Sequence, residues 1–152
     1  MKTINEKFMG IALKEAKKAY GLNEVPIGAV IVKDGKVIAK AYNKRNKCKI
    51  ATYHAEILAI QKACKKLNDW RLDGTEIYIT LEPCPMCAGA IINARIKKVY
   101  FGAYEKKSGA CLSNHQLLFE NGLNHKVEIE GGILMEKCSS LLKDFFKNKR
   151  ND

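Results

Sequence analysis

His54-Ala55-Glu56 and the later run Cys84-Pro85-Met86-Cys87 are the residues whose types and spacing could hold a metal and use it. One imidazole and two thiolates form a ligand set suited to zinc. Two cysteines three apart at a helix start share one face. Free backbone N–H groups at that helix start favour the thiolate form that metal binding needs. A catalytic zinc keeps three protein ligands and one water, whose pKa falls to about 7. Glu56, two residues from the histidine and not needed as a ligand, is the candidate to move protons. On an ideal helix His54 and Glu56 would point about 200° apart. Both can face a metal only if His54 lies at the irregular helix entrance, which the preceding Ala51-Thr52 segment permits.

Other readings of the cysteine pair remain open at this level. A lone Pro-Cys-x-x-Cys can be half of a structural zinc site or a redox pair. A closed structural site would need a fourth ligand, and Cys48, Cys111, His115 and His125 are available, though none has the paired spacing of a zinc ribbon or finger. Six cysteines among 152 residues fall below the roughly 8–10% of a disulfide scaffold. In a reducing compartment they are expected as thiols or metal ligands.

The elements that must position these groups can be read from periodicity. Residues 4–20 place Ile4, Phe8, Ile11, Ala12, Ala19 and Tyr20 at helical spacing. Two β-rich runs flank Asp34-Gly35, a strong hairpin signal. A polar, Lys-rich loop from Asn43 to Thr52 leads to a helix beginning near Ala55. EIYITL after Asp73-Gly74 suits a central strand, and Pro85 opens the next helix, where its missing N–H is no loss. VYFGA reads as a strand, His115–Phe119 as a weaker helical stretch and HKVEIE as the last strand. Met135, Cys138, Leu141, Leu142, Phe145 and Phe146 mark a C-terminal amphipathic helix with a basic tail. This order implies an α/β fold, a mixed sheet with helices on both faces. From Glu56 to Cys84 the chain runs through a helix, a turn and a strand, a traverse that can bring two helix starts together at one end of the sheet.

The chain length predicts one domain over residues 1–152. No apolar run approaches the roughly 18–20 residues that span a bilayer, and the charged N-terminus has no secretory apolar region. A cytoplasmic protein without membrane contact is therefore expected. A formal net charge of +11 serves solubility or attracts a polyanion, nucleic acid above all.

The joint pattern His-Ala-Glu then Pro-Cys-x-x-Cys resembles the zinc-dependent deaminase signature, in which the glutamate is the general acid/base and not a ligand. Within the cytidine/deoxycytidylate deaminase superfamily the chain is most similar to the bacterial tRNA-specific adenosine deaminases. The resemblance rests on Glu24–Val32, Asn43, HAEILAI, LEPCPMCAGAI, the run from Arg95 to Gly102, and NHKVEIEGGIL. It implies a three-layer α-β-α sandwich of the cytidine deaminase-like type around a central five-stranded mixed sheet. It also implies one Zn²⁺ per subunit on His54, Cys84 and Cys87, with Glu56 shuttling protons. The implied reaction is hydrolytic deamination of adenosine to inosine at the wobble position of a tRNA anticodon stem-loop. Asn43 would hydrogen-bond the flipped base, with Pro26, Ile27 and Leu81 stacking on or bordering it. Glu105 and Lys107 belong to loops expected to meet the RNA. Lys106, Lys147, Lys149 and Arg150 are further candidate phosphate contacts. The family also implies a homodimer that builds each RNA site from both subunits. Departures lie beside the histidine, where Ile50-Ala51-Thr52-Tyr53 replaces a common Asp-Pro-Thr-Ala. They lie also at Tyr104-Glu105, where relatives often carry Arg and Asp. The rival activity is deamination of free nucleobases or nucleosides of the guanine or cytosine type.

Overall fold

The computed structural model describes residues 2–119 and 125–150, of which Phe119 and Arg150 are described as backbone only. Asn124, at the head of NHKVEIEGGIL, and the Arg150 side chain therefore lie outside the described residues. Thr3 and Glu6 exchange the two hydrogen bonds of a capping box and start helix α1 (Ile4–Gly21), a device worth about 1 kcal/mol. Strands β1 (Gly28–Lys33) and β2 (Lys36–Tyr42) form the hairpin. Asp34 and Gly35 between them both take positive φ, as this tight turn demands. A short helix α2 (Arg45–Cys48) follows, then α3 (Ala55–Leu67), β3 (Thr75–Leu81), α4 (Pro85–Asn93) and β4 (Lys98–Ala103). A single 3-10 turn (Leu117–Phe119), β5 (Glu128–Glu130) and α5 (Met135–Arg150) complete the order.

The sheet runs β2-β1-β3-β4-β5, with β1 antiparallel to both neighbours and β3, β4 and β5 mutually parallel. Alternation sorts its side chains into two cores. Ala29, Ile31, Ile77 and Ile79 face the buried alanines of α3 and the Ala88-Ile91 face of α4. Val30, Val32, Tyr78 and Tyr100 face Phe8, Met9 and Ala12 of α1 and Cys138 of α5. The result is the expected three-layer α/β sandwich on a five-stranded mixed sheet. Helix α1 lies so close that a Cβ on Gly28 would fall 2.0 Å from the Ala12 carbonyl oxygen. Helix α5 is tied to α1 at its far end. The Tyr20 hydroxyl donates to Asp144 at 2.6 Å and accepts from Asn148 Nδ2 at 2.7 Å, while its ring meets Phe145 edge-on.

Three local expectations change. The 43–52 loop contains α2, whose second and third N–H groups (Asn46 and Lys47) are received by the buried Glu24 carboxylate. Residues 115–119 supply only the 3-10 turn. The last strand is confined to Glu128–Glu130, because only those residues pair with Lys98–Tyr100.

Candidate active site

The site forms where the starts of α3 and α4 meet beyond the end of β3. His54 is the residue just before α3, in extended conformation (φ −73°, ψ 155°). That bend removes the opposition of an ideal helix, so His54 and Glu56 both turn inward. Cys84 holds the matching place before α4 (φ −75°, ψ 172°), and Pro85 follows as the first helical residue. His54 Nδ1 lies 3.8 Å from Cys84 Sγ and 3.5 Å from Cys87 Sγ. All three ligand atoms sit within 4.8 Å of one another and could hold a metal ion. Among the described residues no fourth His, Cys, Asp or Glu joins this group. Cys48 and His115 are exposed elsewhere, and the His125 ring bonds the Ile96 carbonyl.

The donor set fits a divalent cation electrostatically. A hydrogen bond from Cys87, with help from His54, holds the Cys84 thiol down at about 4. Cys87 is pushed far up by its bond to Cys84 and by burial. His54 is raised, chiefly by its bond to Cys84. Glu56 is buried, and its Oε1 is the one buried side-chain oxygen or nitrogen without a hydrogen-bond partner among the described residues. Burial pushes this carboxyl above its ordinary value. A native fold rarely leaves such an atom orphaned without a use for it. The His/Cys/Cys set and an unpartnered carboxylate beside it therefore fit a metal that carries an exchangeable ligand.

His54, Glu56 and Cys84 line a cavity of about 680 Å³. Ile27, Asn43 and Leu81 also line it, whereas the buried Pro26 does not. Asn43 is held by the backbone: Nδ2 donates to the Val25 carbonyl at 3.3 Å and Oδ1 accepts from Arg45 N at 3.1 Å. Glu105 lines the cavity beside Tyr104, but the exposed Lys107 falls outside the lining. Tyr53 is half-buried and also off the lining; its carbonyl accepts from Lys44 N. The wall supplied by α5 consists of Ser139, Leu142, Lys143, Phe146 and Lys147. Of the tail lysines only Lys147 reaches the cavity, while Lys149 lies over the Phe145 ring.

Sequence reasoning missed Arg45, Lys143 and the buried Glu82 on this cavity. Lys143 had a faint signal, lying one residue beyond the Leu141-Leu142 pair of the apolar stripe. Glu82 had none, because its partners lie more than twenty residues downstream. Its carboxyl is 2% exposed. Burial would raise it, but bonds from the Ser113 hydroxyl and from three backbone N–H groups outweigh burial and hold it below its ordinary value.

Comparison with known proteins agrees in family and fold. The MafB19-like deaminase family model matches residues 4–150. A tRNA-specific adenosine deaminase of Bacillus subtilis (strain 168) is 48% identical over 97% of this chain and 92% of its own length. One from Aquifex aeolicus (strain VF5) is 49% identical over 97% of each chain. A solved structure from a study of A-to-I editing by tRNA deaminases at the wobble position of transfer RNA superimposes with a TM-score of 0.87. It shares 42% identity and covers 90% of this chain and 99% of that one.

Proposed function

Because the chain belongs to the MafB19-like deaminase family and to its tRNA-specific adenosine deaminases, we propose that it hydrolyses adenosine to inosine at the tRNA wobble position. The observation that carries the reading is the unpartnered, buried Glu56 Oε1 on one cavity with His54 and Cys84, beside the ligand group that Cys87 completes. We take residues 1–152 as one deaminase domain acting in the cytoplasm. Among the described residues no helix is long and apolar enough to cross a membrane. The working form is taken as a homodimer with one zinc per subunit.

His54, Cys84 and Cys87 would hold the zinc. When bound, zinc supplies the Lewis acidity that lets water ionise near neutral pH. Glu56 does the proton work. Its carboxylate takes a proton from the attacking water as oxygen bonds to C6. It passes that proton to the purine N1, then takes the proton of the new C6 hydroxyl and delivers it to the amine, which leaves as ammonia while C6=O forms. Adenosine and water thus become inosine and ammonia. Burial suits this carboxyl to both roles, because a raised pKa brings acid and base forms closer in energy. Asn43, fixed by Val25 and Arg45, presents its remaining donor and acceptor capacity to the flipped base, and Ile27 and Leu81 border the base. The base leaves its stack at a cost of about a few kcal/mol. Arg45, Lys143 and Lys147 on the rim suit phosphates, and Phe146, 43% exposed, offers a stacking surface.

The test is inosine formation in a synthetic anticodon stem-loop, compared with free adenosine, guanine and cytosine. Turnover of the stem-loop should exceed that of the small molecules and fall steeply with salt as phosphate contacts release counterions. Equal turnover of stem-loop and free adenosine, or deamination of guanine or cytosine alone, would replace this reading with that of a small-molecule deaminase.

A further inference from the structure

Glu82 neither holds the metal nor moves the proton, yet it is among the most completely satisfied side chains in the structure. It stands directly after β3, and no cation pairs with it among the described residues. Its Oε2 accepts the backbone N–H groups of Cys111 (3.1 Å), Leu112 (2.7 Å) and Ser113 (2.9 Å). Its Oε1 accepts the Glu105 N–H at 3.1 Å and the Ser113 hydroxyl. Four amides of one segment converge on a single carboxylate. The same segment is pinned by Ala110 N to the Pro83 carbonyl at 2.8 Å and by Gly109 N to the Glu105 carbonyl at 2.8 Å. It is packed so tightly that a Cβ on Gly109 would fall 2.5 Å from the Glu82 carboxyl carbon. This segment contributes Glu105 and Ser108 to the cavity, and Tyr104 precedes it there.

We infer that Glu82 is a positioning residue for RNA recognition: residues 105–113 fold around its carboxylate, which fixes the cavity wall built from Tyr104, Glu105 and Ser108. The inference rests on the tRNA reading above. Only an ionised carboxylate offers acceptors alone on both oxygens. A glutamine would turn one N–H₂ group toward N–H donors, and the segment would lose its seat. The metal ligands gain nothing directly from these bonds, since none of the five donors is a ligand. The effect therefore belongs to substrate binding more than to the chemical step.

The experiment uses the zinc-loaded, full-length protein carrying Glu82→Gln, with Glu82→Asp and Gly109→Ala in parallel. Zinc content, hydrogen exchange at residues 105–113, and kcat and KM on the stem-loop are measured for each. In Glu82→Gln the amides of 111–113 should lose protection while zinc stays bound. KM should rise about tenfold or more, with the smaller part of the loss in kcat. Glu82→Asp, which keeps the charge, should recover part of the affinity. Gly109→Ala leaves the carboxylate intact but crowds its seat, so it should raise KM in the same direction even if Glu82→Gln fails to fold. An unchanged KM in Gly109→Ala, a loss confined to kcat, or loss of zinc from Glu82→Gln would each overturn the inference. Wild-type turnover in the same series judges the substrate reading separately, because zinc content and amide protection report on Glu82 without any substrate.

Discussion

Replacing Glu56 by Gln removes one proton-carrying oxygen and almost no volume from the floor of the cavity. Glu56 Oε1 lies beside the three ligand atoms and, among the described residues, is the one buried side-chain oxygen or nitrogen without a hydrogen-bond partner. Positioned acid–base catalysis contributes about 10²–10⁴-fold, which is about 2.7–5.4 kcal/mol of barrier at 1.36 kcal/mol per tenfold. The zinc-loaded Glu56→Gln protein should lose that factor in kcat on the stem-loop, with KM nearly unchanged because the rim is untouched. Quenched single-turnover assays reading inosine by mass spectrometry, with zinc measured by elemental analysis, would separate the two parameters. The same variant makes a second, independent statement about the metal-free protein. Burial raises the folded Glu56 above its ordinary 4.5, so the folded state binds its proton more tightly than the unfolded chain does. Stability from this group is therefore fully present below pH 4.5 and is lost as pH rises through the raised value. Glutamine has no such loss, so the stability gap should open in favour of Glu56→Gln as pH rises. A kcat loss under about tenfold, loss of zinc from the variant, or a gap that closes with rising pH would refute the assignment.

Metal binding should release about one proton at pH 8, from Cys87, because Cys84 is already ionised there. The number should grow as pH falls through the raised His54 value and the imidazole proton must also leave; calorimetry in buffers of different ionisation heat would show it. Release of about two protons at pH 8 would mean that Cys84 is a thiol. Gly28→Ala should cost about 3 kcal/mol by driving α1 off the sheet, a fall of about 6–12 °C in Tm for a domain of this size. A Tm within about 2 °C of wild type would mean that α1 can move aside.

The grouping of His54, Cys84 and Cys87 was legible because its information is local: two helix starts, each with its side chains at a fixed spacing. Asp34-Gly35 and Pro85 were readable for the same reason, since backbone preference alone decides them. What escaped depends on distant partners. The residues of α2 have no periodic pattern, and its second and third N–H groups are received by Glu24, more than twenty residues earlier. Glu82 sits before Pro83 with nothing nearby to hint at donors from 105 to 113. Pro26 and Ile27 are adjacent, so an extended chain sends them opposite ways, and only Ile27 reaches the cavity. Lys107 belongs to the right segment, but its side chain points into solvent.

The seam between α1 and α5 reaches further than its few bonds suggest. One face of α5 meets Tyr20 through Asp144, Phe145 and Asn148; another carries Ser139, Leu142, Lys143 and Phe146 to the cavity. Tyr20, which lines no part of the cavity, thus braces the helix that supplies one of its walls. Selection can therefore act on the shape of this cavity from the opposite end of the sequence while His54, Glu56, Cys84 and Cys87 stay as they are.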